Sequence, residues 1–236
     1  MPLVIAISAI LLFGSCTVLK HQPVYQSIFN GINLNGWEGD PAYWRVENGA
    51  IIGEVTPATI LKRNTFLIWR DGTPGDFEIK LQYRISARGN SGVNYRSEKI
   101  DTLLFALKGY QADLDGKDKY NLGYPRYSGQ NYEERGRQFL ALRGQKTLLT
   151  FGNKPKLLDS IGNTLDLVKN IRPNDWNELR IVAKGNRLQH YINGVLMSEV
   201  IDDDTKNRKM RGWLGVQVHV GPPMKVEYRN ILLKAL

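Results

Sequence analysis

Phe77-Glu-Ile-Lys-Leu-Gln-Tyr-Arg-Ile85 alternates apolar and polar residues without a break. A period of two describes a half-buried strand, with Phe77, Ile79, Leu81, Tyr83 and Ile85 on its inner face. The same grammar recurs on both sides. Leu179 to Lys184 and Arg187 to Ile192 flank Gly185-Asn186, and Asn193-Gly194 separates Ile192 from Val195-Leu-Met197. Asn-Gly favours the tight turns of hairpins, so these three runs predict a meander. Trp213 to Val220 and Val226 to Leu233 read as a final pair around Gly221-Pro222-Pro223. Earlier strands are expected at Trp44 to Val46, Ala50 to Ile52, Gly92 to Arg96 and Tyr110 to Leu114. No stretch carries the apolar spacing of a long amphipathic helix. Short strands punctuated by Gly and Pro predict an all-β sandwich or jelly roll built as one domain. The segment from Asp115 to Gly144 has no period and reads as long loops.

The chain has 236 residues, 42% of them apolar and 23% charged, which suits an ordinary globular core and excludes a disordered or collagen-like chain. Thirty-two Lys and Arg against 23 Asp and Glu give a net charge of +9. Those basic residues are dispersed. Only Lys206, Arg208, Lys209 and Arg211 cluster, directly after Asp202, Asp203 and Asp204, so no nucleic-acid partner is expected. Asp202 to Asp204 reads as a solvated turn. A single cysteine, Cys16, excludes an intrachain disulfide framework and a cysteine-based zinc site. Three histidines leave little for a His-rich metal centre, although a divalent metal bound by carboxylates stays open.

Residues Pro2 to Phe13 are apolar or small, too short a run to span a bilayer and of the length of a signal-peptide core. Gly14-Ser15-Cys16 resembles the lipobox of bacterial lipoproteins, which implies cleavage before Cys16 and a lipid on its thiol. The expected organisation is a signal peptide over 1–15, a lipidated cysteine and tether over 16–26, and one domain over 27–236. The resemblance further implies export and a membrane anchor that faces the periplasm, with the cell surface as the alternative.

Function is sought on the strand faces turned away from the core. Alternation puts Asn94 and Arg96 on one such face, with Gln111, Asp113 and Asp115 on the next strand and Gln217 and His219 on a third. Planar side chains that both give and take hydrogen bonds suit sugar hydroxyls. Trp37, Trp44, Tyr127 and Tyr132 are candidates to stack on a pyranose. His219 titrates near neutrality and is the first candidate for proton transfer, with His190 second. Asp113 and Asp115 share a face and suit a base with its partner, or a cation. Glu134 sits in the charged run Glu133-Glu-Arg-Gly-Arg137 beside Tyr132 and is a further candidate.

Phe29-Asn-Gly-Ile-Asn-Leu-Asn-Gly-Trp37, Trp44-Arg-Val-Glu-Asn-Gly-Ala-Ile-Ile-Gly53, Gly75-Asp-Phe-Glu-Ile79 and Gly89-Asn-Ser-Gly-Val93 occur in this order. Asp175-Trp-Asn-Glu-Leu-Arg180, Gly185-Asn-Arg-Leu-Gln-His-Tyr-Ile-Asn-Gly194 and Gly215-Val-Gln-Val-His219 follow. Together they resemble the 3-keto-disaccharide hydrolase family. The resemblance implies a concanavalin A-like jelly roll in an exported, often lipid-anchored protein. The implied activity is cleavage of 3-keto-glycosides by 1,2-elimination and hydration. Where many members have Tyr-Glu-x-Gln, this chain has Tyr110-Gln-Ala-Asp113. The expected machinery is Asp113 or Glu134 as base and His219 as acid, with Arg96 or a divalent metal as the electrophile. Asn94, Gln111, Gln217, His190 and Tyr132 complete the expected sugar contacts. The competing class is a non-catalytic, lectin-like lipoprotein on the same fold.

Overall fold

Phe77–Ile85 forms the predicted strand, and its five alternating apolar residues are all buried. It runs between Asn177–Lys184 and Met224–Ala235 in a ten-stranded sheet. That sheet reads Lys156–Ser160, Gln145–Leu149, Val195–Asp202, Arg187–Ile192, Asn177–Lys184, Phe77–Ile85, Met224–Ala235, Ala50–Val55 and Trp44–Glu47, with Gln26–Ser27 also paired to the C-terminal strand. The meander is present as expected. Asn193 and Gly194 take φ of 49° and 81°, the left-handed pair that a two-residue hairpin turn needs. The computed structural model describes residues 24–236, so Cys16 and the expected signal segment lie outside the described residues.

A second, seven-stranded sheet reads Gln138–Ala141, Asn131–Glu134, Leu107–Asp115, Asn90–Lys99, Trp213–Val218, Thr65–Trp69 and Trp37–Glu38. Its inner face carries Val93, Tyr95, Tyr110, Ala112, Leu114, Val216 and Val218, which pack in one cluster with Phe77, Ile79 and Leu81 of the first sheet. Two sheets closed over one apolar layer make a jelly-roll sandwich. The only described helix is the short Thr164–Val168, capped by Asn163. Among the described residues no helix is long and apolar enough to cross a membrane.

Two local expectations need correction. Trp213–Val218 and Met224–Ala235 do not pair with each other, because the chain changes sheets across residues 219–223. The Asp115 to Gly144 segment is not loop throughout: Asn131–Glu134 and Gln138–Ala141 pair as a hairpin. Its alternation is hidden because the inward positions are polar. Asn131 bonds Tyr95 and Ser198, and Glu133 binds Arg137. Arg137 also reaches Asp202 and Asp204, so the presumed solvated turn at Asp202 to Asp204 is in large part buried.

Candidate active site

Cross-strand register puts Asn94, Gln111 and Tyr132 in one row of the outer face of the seven-stranded sheet. Asp113, Gly92 and Gln217 form the next row. Gly92 clears the floor: a Cβ there would stand 2.5 Å from the Gln111 side chain, which lies across it. Gln111 Nε2 donates to Asp113 Oδ1 at 2.7 Å, and Gln217 Nε2 donates to Gln111 Oε1 at 3.2 Å. Gln217 Nε2 also lies 3.3 Å from Glu134 Oε2, although two strands separate their own strands in the sheet. The sheet therefore curls, and Glu134 folds over the floor. Asn64, from the loop before Thr65–Trp69, donates to Glu134 Oε1 at 3.2 Å.

These groups line a cleft of about 590 Å³. Of the residues singled out in the sequence, Gln111, Asp113, Tyr127, Tyr132, Glu134 and His219 line it. Gln217 is wholly buried and supports it from behind. Asn94 is also wholly buried beside Gln111, with neither amide atom hydrogen-bonded to protein. Asn64, Asn90, Lys119, Tyr120, Arg135 and Phe139 complete the lining and were not singled out. Tyr120, Tyr127, Phe139 and Tyr132 form a continuous aromatic wall, with successive ring centroids 4.9, 5.6 and 5.2 Å apart. Its members come from an aperiodic loop and a hairpin, which sequence alternation cannot bring together.

Arg96, His190 and Asp115 sit elsewhere, and the two tryptophans do not stack in the cleft. Arg96 falls at a β-bulge with φ of 46°, which turns its side chain inward. There its guanidinium donates to the Gly75 and Gly185 carbonyls and to Asp76, and its side chain is 0% exposed. His190 is wholly buried, with Nε2 2.9 Å from the Tyr95 hydroxyl and Nδ1 3.0 Å from the Gln130 carbonyl. Asp115 accepts from the backbone N–H groups of Arg126, Tyr127 and Ser128 and so shapes the loop behind the aromatic wall. Trp44 is core, and Trp37 donates to the Ile28 carbonyl while packing on the core.

Burial sets the proton inventory. It pushes the Asp113 carboxyl well above the ordinary range, against the Gln111 hydrogen bond and with help from the Asp115 and Glu134 charges. Burial likewise raises Glu134, opposed by Asn64, Arg135 and Gln217. His219 is lowered, first by burial and also by Lys119. Its Nδ1 lies 2.5 Å from the Val220 carbonyl, which can only accept, so the proton is on Nδ1 and neutral Nε2 offers a lone pair. That tautomer leaves Nε2 as the atom that exchanges a proton with the cleft, so His219 serves as an acid only after Nε2 has first accepted one. Among the described residues no group of three or more His, Cys, Asp or Glu is arranged to hold a metal ion.

Burial also lowers His190 to about 3. The unfolded imidazole takes a proton near pH 6.5, whereas the folded one stays neutral until about pH 3. The unfolded state then binds more protons in that window, so stability falls as pH falls through it. From pH 7 to 5 this one group should remove about 2 kcal/mol. Urea midpoints should drop more steeply over that interval for the wild type than for His190→Gln. Equal slopes would mean that the folded imidazole does take up a proton.

The protein is a jelly-roll sandwich with a carboxylate-floored, aromatic-walled cleft on its outer sheet. The chain belongs to the family of 3-keto-alpha-glucoside-1,2-lyase-like domains, whose family model matches residues 24–234. It is a carbohydrate-processing domain. Among solved structures it is similar to a candidate glycosyl hydrolase from Parabacteroides distasonis, with 21% identity and a TM-score of 0.58 over 90% of this chain and 94% of that one. It is also similar to the carbohydrate-binding module CBM66 from Bacillus subtilis, with 17% identity and a TM-score of 0.54 over 85% and 96%. A Bacillus subtilis protein with a galectin-like fold shares 12% identity at a TM-score of 0.54 over 85% and 90%. These likenesses describe the fold. No curated protein matches the chain.

Proposed function

We propose that the protein cleaves 3-keto-glucosides by 1,2-elimination followed by hydration. The observation that carries this reading is the desolvated Asp113 carboxyl, raised well above the ordinary range and open at Oδ2, on the floor of an aromatic-walled cleft. A ketone at C3 acidifies the C2 proton, and a base of raised pKa is matched to that task. Asp113 takes the proton from C2. The C–H electron pair forms C2=C3 and the carbonyl electrons move to the C3 oxygen. Collapse restores the C3 carbonyl, forms C1=C2 and expels the C1 oxygen, which receives the proton Asp113 carried. Water then adds at C1 and a proton returns to C2. His219 Nε2 takes the proton of that water and releases it to solvent, from which Asp113 picks up the proton it delivers to C2. Gln111 and Gln217 hold the two carboxylates apart, and the aromatic wall takes the apolar face of a sugar ring.

Incubation with a panel of 3-keto-glucosides, with and without chelator, tests the reading through aglycone release. Release is expected from at least one anomeric series. Saturable binding of those sugars without release would make the protein a lectin-like binder instead.

The export reading concerns residues 1–23 and is part of the same proposal. Cys16 carries a lipid, and the domain faces the periplasm. Labelled palmitate should enter the wild type and not Cys16→Ser, and the variant should leave the membrane fraction. Absence of label from the wild type would replace lipidation with a plain secretory signal.

A further inference from the structure

The elimination proposed above creates a negative charge on the C3 oxygen inside a cleft that already holds two buried carboxylates. Arg96, the cation expected to meet that charge, is locked on Asp76 and backbone carbonyls in the interior. The cleft contains two other cations, Lys119 and Arg135. Arg135 is already engaged, since its Nε lies 3.7 Å from Glu134 Oε1. Nearby Arg126, on the loop behind the wall, lies over the Tyr120 and Tyr127 rings.

Lys119 differs from all three. Among the described residues its Nζ has no hydrogen-bond or ion-pair partner. It lies beside Gly221, where an added Cβ would stand 3.2 Å from Nζ, and close enough to His219 to lower that imidazole. Its loop is tied down, because Gly116 N–H donates to the Gly89 carbonyl and Asp118 N–H to the Ala87 carbonyl. A partly desolvated ammonium without a direct ion-pair partner is unfavourable for folding, and it is the arrangement that stabilises charge appearing only during reaction. Burial and the nearby Arg88 charge, opposed by the Asp115 charge, lower its pKa, which makes it a stronger donor.

We propose that Lys119 is a further catalytic residue, whose ammonium donates to the C3 oxygen as the enolate forms. This rests on the function proposed above and assigns it a specific electrophile. Loss of such a donor typically costs about 10²–10³-fold in rate. Substrate binding should change far less, because the C3 carbonyl of the ground state carries little charge.

The test separates enolisation from cleavage. 1,5-Anhydro-3-keto-glucitol has the ketone and the C2 proton but no leaving group at C1. In D2O, with proton NMR of the ligand, the wild type should exchange the C2 proton. Lys119→Met should exchange it about 10²–10³-fold more slowly, and Lys119→Arg should recover part of the rate. Thermal midpoints of both variants should stay at or above the wild-type value, since Nζ has no partner to lose. Exchange by Lys119→Met at the wild-type rate would overturn the assignment, including the case in which Lys119 serves only to hold an anionic substituent of a larger substrate. Equal loss in both variants, with charge restored in one, would also overturn it. A wild type that binds the ligand yet never exchanges its C2 proton would overturn the function itself, and this assignment with it.

Discussion

Asp113→Asn lowers kcat on a 3-keto-glucoside by about 10²–10⁴-fold, the usual cost of removing a positioned acid or base. The amide fills the same space and keeps a contact with Gln111, so the cleft retains its shape. Burial disfavours the ionised Asp113 carboxyl, so its folded pKa lies above the unfolded one. A group of that kind subtracts stability at pH values above its unfolded pKa. Replacement by Asn should therefore leave the thermal midpoint unchanged or higher while activity collapses. Activity within twofold of wild type would remove Asp113 from proton transfer. Glu134→Gln makes a useful companion. Its carboxylate is held by Asn64, Gln217 and Arg135, and its charge helps keep Asp113 raised. Removing that charge should move the acid limb of kcat/KM to lower pH, because that limb reports the free enzyme's base.

Arg96→Ala destabilises the fold by about 2–5 kcal/mol, the cost of truncating a large, wholly buried side chain. The side chain is wholly buried and binds Asp76 at 2.8 Å, with the Gly75 and Gly185 carbonyls at 2.9 and 2.7 Å. Truncation strands those acceptors and leaves a cavity. Asp76 also accepts from the Gly185 N–H, so the turn between Lys184 and Arg187 loosens with it. Urea unfolding should show the loss, while kcat per folded molecule stays close to wild type. A large change in KM with unchanged stability would return Arg96 to the substrate.

The fold was readable because its strands obey a simple alternation. Phe77–Ile85 and the meander from Asn177 to Asp202 bury one face each, and Asn193-Gly194 announces its own turn. The same alternation placed Gln111, Asp113 and Gln217 on one outer face, where register now sets them. The Tyr110-Gln-Ala-Asp113 departure is also intelligible. Positions 111 and 113 both face the cleft, where the Gln111 amide and the Asp113 carboxylate form one hydrogen-bonded pair.

Alternation failed where geometry departs from it. At the Arg96 bulge an extra residue turns the side chain to the opposite face. His190 obeys the pattern but looks inward, where Tyr95 and the Gln130 carbonyl satisfy it. A polar residue on a buried face carries no sequence signal of its partners. Asn64, Lys119 and Tyr120 reach the cleft from loops distant in sequence, and Glu134 reaches Gln217 only because the sheet curls. The Glu133-Glu-Arg-Gly-Arg137 run was partly legible, since charge beside Tyr132 in an aperiodic segment marked it as a candidate surface.

The most direct test of the central claim is the fate of the C2 hydrogen during turnover. Elimination removes it and hydration replaces it from solvent, whereas direct hydrolysis at C1 leaves it untouched. A 3-keto-α-glucoside turned over in D2O should give a released 3-keto-sugar carrying deuterium at C2 at the earliest times, before spontaneous exchange contributes. Aglycone release with the original C2 proton retained in the product would contradict the account.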